Sequence, residues 1–85
     1  MARMTKQSKE NVLIADRAII HNMKDNNGCT TGYSVELWKD VNASWISGKD
    51  GLIEYETVSK AEQAIRRISK NLYIFHSHYR NGMAP

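Results

Sequence analysis

The chain has one cysteine, Cys29, so no disulfide can form within it and packing alone must hold the fold together. No apolar run exceeds four residues, as at Val12–Ala15, far short of the roughly 18 needed to span a bilayer. Basic residues near the N-terminus (Arg3, Lys6, Lys9) have no apolar stretch behind them, so the opening does not read as a secretory signal. These absences lead to the expectation of a cytoplasmic protein that does not use a membrane. A glycine-rich phosphate cradle is missing as well. Gly48-Lys49-Asp50-Gly51 lacks the upstream glycine and the following Ser or Thr of a P-loop.

What is present is the composition of a soluble globular chain: 41% hydrophobic and 25% charged over 85 residues. That length allows one small domain, which buries about 60–65% of the surface its unfolded form exposes. The formal charge of +3 is unevenly placed. Residues 1–24 carry five basic and two acidic side chains, residues 25–58 two and six, and residues 59–85 five and one. Basic ends flank an acidic middle, which suits a nucleic-acid partner on one side and a basic protein on another.

Residues 1–7 read as a flexible basic arm, residues 8–82 as a single α+β domain, and residues 83–85 as a tail. Ser8 is a candidate N-cap, followed by Val12, Ala15, Ile19 and Met23 at steps of three and four. This predicts a first helix over Lys9–Lys24. Asp25-Asn26-Asn27-Gly28 ends it. A second helix is predicted from Ser59, where Ser59-Lys60-Ala61-Glu62 fits a capping box, to about Asn71. Ala61, Ala64, Ile65, Ile68 and Leu72 form its apolar stripe. Leu72–Tyr79, rich in aromatic and β-branched residues, reads as a C-terminal strand.

The middle segment admits two readings. Tyr33, Val35 and Leu37 alternate as in a half-buried strand, and Gly48–Gly51 supplies a tight turn between Trp45-Ile46 and Leu52–Thr57. That makes a three-strand antiparallel meander between the helices, the favoured reading. The alternative caps a helix at Ser34 and packs Val35, Trp38, Val41 and Trp45 along one side, as in a winged helix-turn-helix.

Two local resemblances bear on this. Through Thr57, Ser59, Lys60, Ala61, Glu62 and Ala64, the segment from Tyr33 to Ser69 resembles the small DNA-binding domains of tyrosine recombinases and double-stranded-RNA-binding domains. Both place a helix against a three-stranded sheet. The second family carries a lysine cluster at the start of this helix, where only Lys60 stands here. Gly28–Leu37 is similar to the turn into the second helix of some winged-helix regulators.

Catalysis is hard to assemble from these residues. Cys29 has no histidine beside it in sequence, and a nucleophile needs a base and an orienting group. His76 and His78 would share one strand face, but a zinc site needs three or four ligands and no spacing motif completes one. No enzyme, metal or cofactor is therefore expected.

The second helix carries the main functional expectation. Lys60, Gln63, Arg67 and Lys70 share its outer side with Arg66 nearby, suited to phosphates and, for Gln63, a base edge. Lys6 and Lys9 of the arm and Arg80 after the last strand add to this set. A protein interface is the second expectation, built on Trp38, Trp45, Tyr73, Phe75 and Tyr79. Large apolar residues beside a small core usually enter it, so Tyr73, Phe75 and Tyr79 are expected inside and the histidines outside. With Leu72 and Ile74 buried instead, the aromatic stripe would face outward, free to stack on bases. The sequence thus predicts a small non-enzymatic module that contacts nucleic acid. The alternative is a protein-binding inhibitor or adaptor of the mobile-element or phage accessory type. The strand at 72–79 could pair with a second copy as a homodimer.

Overall fold

Thr5 sets the first turn. Its Oγ1 accepts from the Ser8 backbone N–H at 3.1 Å and caps helix α1 (Lys6–Ile14). The computed structural model describes residues 3–77. Ser8, expected as the cap, is instead buried inside the helix, where its Oγ accepts from the Ser47 N–H at 2.9 Å. The described part of the expected arm is seated against the same segment. The Thr5 N–H donates to the Ser47 carbonyl, Met4 bridges to Gly48, and Lys6 and Gln7 belong to α1.

The long helix expected over Lys9–Lys24 ends at Ile14, and Arg17–Lys24 is strand β1. Val12, Ala15, Ile19 and Met23 do have helical spacing. Yet Ala18 and Ile20 also have strand alternation, and both are buried, while Ile19 and His21 point to the other face. Tertiary pairing decides between the two patterns, because β1 finds strands on both sides of it.

Strand β2 (Thr30–Lys39) runs antiparallel to β1, with Ala18 opposite Leu37 and Ile20 opposite Val35. Strand β3 (Asn42–Trp45) returns along β2 after a tight turn, in which Asp40 takes φ 56, a conformation Asp tolerates. Residues 34–39 and 42–45 are thus extended, joined by that turn. The third strand of the expected meander is displaced. β4 (Ser47–Gly48) and β5 (Gly51–Leu52) pair as a separate hairpin, and only Tyr55 returns to β2, exchanging backbone hydrogen bonds with Tyr33 at 2.7 and 2.8 Å. The turn falls where expected, with Gly51 at φ 115. Gly48 is needed for close approach, since a β-carbon there would lie 2.8 Å from the Arg3 carbonyl oxygen.

Helix α2 (Val58–Arg66) is capped by Thr57, whose Oγ1 accepts from the Lys60 N–H at 3.0 Å. The Ser59–Glu62 capping box therefore does not form, because Ser59 already lies inside the helix. The helix also stops short of Asn71. The Arg66 Nη1 folds back to donate to the carbonyls of Ser69, Lys70 and Leu72, holding a turn in place of further helix. Strand β6 (Tyr73–His76) then runs parallel to β1 at the edge of a four-stranded sheet of order β3-β2-β1-β6. The remainder of the predicted strand, from His78 on, lies outside the described residues.

One cluster of buried side chains unites these elements: Val12 from α1, Ala61 and Ile65 from α2, and Ala18, Ile20, Val35 and Leu37 from a single sheet face. Both helices therefore cover the same side of the sheet. The fold is a small α+β domain with two helices and a mostly antiparallel sheet. No described helix is long and apolar enough to cross a membrane.

The register makes a direct prediction. Ile20→Ala empties a fully packed site and should cost about 3 kcal/mol, whereas Ile19→Ala on the other face should cost about 1 kcal/mol or less. Urea unfolding measures both; equal losses would contradict the strand assignment of residues 17–24.

Candidate nucleic-acid interface

Two surfaces emerge, one on the helical side and one on the bare side of the sheet. On the helical side, Lys9 of α1, Arg67 at the C-cap of α2 and Arg3 ahead of α1 line one open groove of about 640 Å³. Its walls and floor are completed by Met4, Tyr55, Ala64 and Ile68, with no carboxylate among the described lining residues. Burial pushes the Tyr55 hydroxyl above its usual pKa, so the floor stays neutral at ordinary pH.

The expected contact residues divide sharply in their engagement. Arg67, Lys70, Lys6 and Lys9 are exposed. Lys60 is held by an ion pair to Glu56 one turn earlier, and its ammonium pulls the Glu56 carboxyl below the usual range. Gln63 donates to Ser59 Oγ at 3.4 Å. Arg66 does not project outward, since its guanidinium serves the three carbonyls that close α2. Lys70 lies beyond the helix. Arg80 is outside the described residues. Arg3, a basic residue of the expected arm, lines the same groove as Arg67, a neighbourhood that was not legible in the sequence.

On the sheet, four of the five predicted interface aromatics share the face that no described helix covers. Reading across the strands, one row is Tyr73, Arg17, Trp38 and Ala43, and the next is Phe75, Ile19, Glu36 and Trp45. Tyr73 and Phe75 were expected inside; they are instead 72% and 42% exposed, because Leu72 and Ile74 are the ones that meet the core. Their rings stack at 5.8 Å and 17°. The Arg17 guanidinium lies 5.0 Å from the Trp38 ring centre, and the His21 ring lies 5.0 Å from that of Trp45, which is 38% exposed. His21 Nε2 also meets Glu36 Oε1 at 2.9 Å. Arg17 falls within the segment expected as the first helix, and strand alternation turns it onto this face. Tyr79 lies outside the described residues.

No known protein family, curated protein or solved structure matches this chain.

The other sequence candidates are dispersed. His76 Nε2 meets Glu62 Oε2 at 3.1 Å, His78 is outside the described residues, and no three potential metal ligands cluster among those described. Cys29 is exposed in a loop closed by Asp25 Oδ1, which accepts from the N–H groups of Asn27 and Cys29. Asp16 Oδ2 accepts from the Asp40 N–H at 2.7 Å, and that bond, helped by Lys39, lowers its pKa. Its support for the β2–β3 turn is therefore present above the ordinary carboxylate pKa and lost as pH falls through the lower folded value.

Arg66 and Arg67 are neighbours with opposite duties, which gives a second prediction. Arg66→Ala should cost about 1–2 kcal/mol of stability through the lost Nη1 hydrogen bonds to the closing carbonyls, whereas Arg67→Ala should change it by less than about 0.5 kcal/mol. Thermal or urea unfolding of both variants measures the difference.

Proposed function

We propose that the protein is a small non-enzymatic nucleic-acid-binding module, with the phosphate backbone of its partner lying in the groove between α1 and α2. The observation that supports this reading is the convergence of Arg3, Lys9 and Arg67 from three separate segments on one open groove without a lining carboxylate. A single small anion would call for donors aimed at one point. An open groove bordered by flexible cations suits a run of phosphates better, and such contacts position a strand without reading its sequence. Lys6 stands three residues before Lys9 on α1, so the positive border extends along that helix, and Lys70 is exposed in the turn after α2. Net charge and groove sign act together, drawing a polyanion to this side.

The reading has a quantitative consequence. Lys9→Ala and Arg67→Ala should each reduce the slope of log K against log salt by about 0.7–0.9, the loss of one phosphate contact. Lys60→Ala should change the slope less, since its ammonium is already paired with Glu56. Mobility-shift titrations at several salt concentrations measure this. Salt-independent binding, or none at micromolar protein, would overturn the proposal, and a stoichiometric protein partner surviving nuclease treatment would favour the adaptor reading instead.

A further inference from the structure

We infer that the uncovered face of the sheet is a stacking platform for the bases of single-stranded nucleic acid. This rests on the nucleic-acid reading above and narrows its ligand to unpaired strands. Tyr73 and Phe75 are exposed at the sheet edge with their rings nearly parallel, Trp45 is exposed at the opposite edge, and Trp38 lies between them under Arg17. Every base has a π-face that such rings can meet, whereas a duplex keeps those faces stacked inside itself.

Charge favours this occupant over a protein surface. Three interstrand steps of about 4.8 Å and two rows about 7 Å apart give a platform of roughly 14 × 7 Å between backbone centres. That is room for two or three bases. Arg17 sits within the platform, and Lys70 is exposed three residues ahead of Tyr73, so cations are available for the linking phosphates. The one carboxylate in the two rows, Glu36, is engaged by His21, and Asp16 beside Arg17 is engaged by the Asp40 N–H and Lys39. An aliphatic docking patch would have no need of a guanidinium in its middle.

The test uses the full chain with a fluorescently labelled oligothymidylate of about eight nucleotides, free and annealed to its complement. The single strand should bind at least about ten-fold more tightly than the duplex and quench tryptophan emission. Tyr73→Ala and Phe75→Ala should each weaken single-strand binding about ten-fold, the loss of one stacked base. Phe75→Leu should weaken it similarly, because leucine keeps the apolar volume but has no π-face, while Phe75→Trp should restore binding. Tyr73 is the more exposed of the two, so its variant keeps the fold intact if Phe75→Ala does not, as far-ultraviolet circular dichroism will show. Undiminished binding by Phe75→Leu overturns the inference. Duplex binding that equals single-strand binding and falls only with Arg67→Ala overturns it too, leaving the groove reading in place. Failure of both nucleic acids to bind removes the groove reading and the platform together. A dimer of 9.7 kDa chains that Phe75→Ala dissociates would assign the face to a second copy and equally overturn the inference.

Discussion

The double pairing of β1 is the constraint on which the rest of the structure depends. Arg17–Lys24 runs antiparallel to β2 on one side and, over its first half, parallel to β6 on the other. An antiparallel neighbour can follow through a short loop, and Asp25–Cys29 provides it. A parallel neighbour cannot, because the chain must cross from one end of the sheet to the other before it can run the same way. Helix α2 lies on that return path, and its stripe of Ala61 and Ile65 gives the crossover a reason to stay on the sheet. The position of β6, and so the placement of Tyr73 and Phe75, is thus a consequence of how β1 is used.

A second consequence is one-sidedness. Val12 of α1 and both buried residues of α2 reach the same face of Ala18, Ile20, Val35 and Leu37. Two nine-residue helices are enough to cover one side of four short strands, and the chain has no third described helix for the other. The bare side carries polar groups among its aromatics: Glu36 meets His21 and Arg17 lies over Trp38, whose indole N–H is buried without a hydrogen-bond partner among the described residues.

How much of this the sequence revealed follows from which signals are local. The α2 stripe, the turn at Gly48–Gly51 and the alternation of Tyr33, Val35 and Leu37 each specify their element within a few residues, and each is found. The stretch from Lys9 to Lys24 is different. Its apolar residues are dense enough to satisfy a period of 3.6 and a period of 2 together, and the choice is made by β2 and β6, which lie far along the chain. The same limit applies to the candidate site. A helical projection put Lys60, Arg66, Arg67 and Lys70 on one outer surface, and their charge was legible. That Glu56 would hold Lys60 and that the Leu72 carbonyl would hold Arg66 depends on where the flanking loops turn. Tyr73 and Phe75 were assigned inward by size alone, but parity with Leu72 and Ile74 fixed them outward once those two had entered the core.

Arg66 joins the two surfaces physically. Arg67 lines the helical groove, Lys70 is exposed, and Tyr73 begins the bare face, so six residues carry the chain from one surface to the other. Over that short span the backbone would have several ways to turn. The guanidinium of Arg66 closes most of them by collecting the carbonyls of Ser69, Lys70 and Leu72 on one nitrogen. The side chain that sequence reasoning had placed against a phosphate thus fixes the angle between its neighbours. On the proposed reading, a strand following the groove past Arg67 meets Lys70 next and the rings of Tyr73 and Phe75 after it, and this turn sets the order of those encounters.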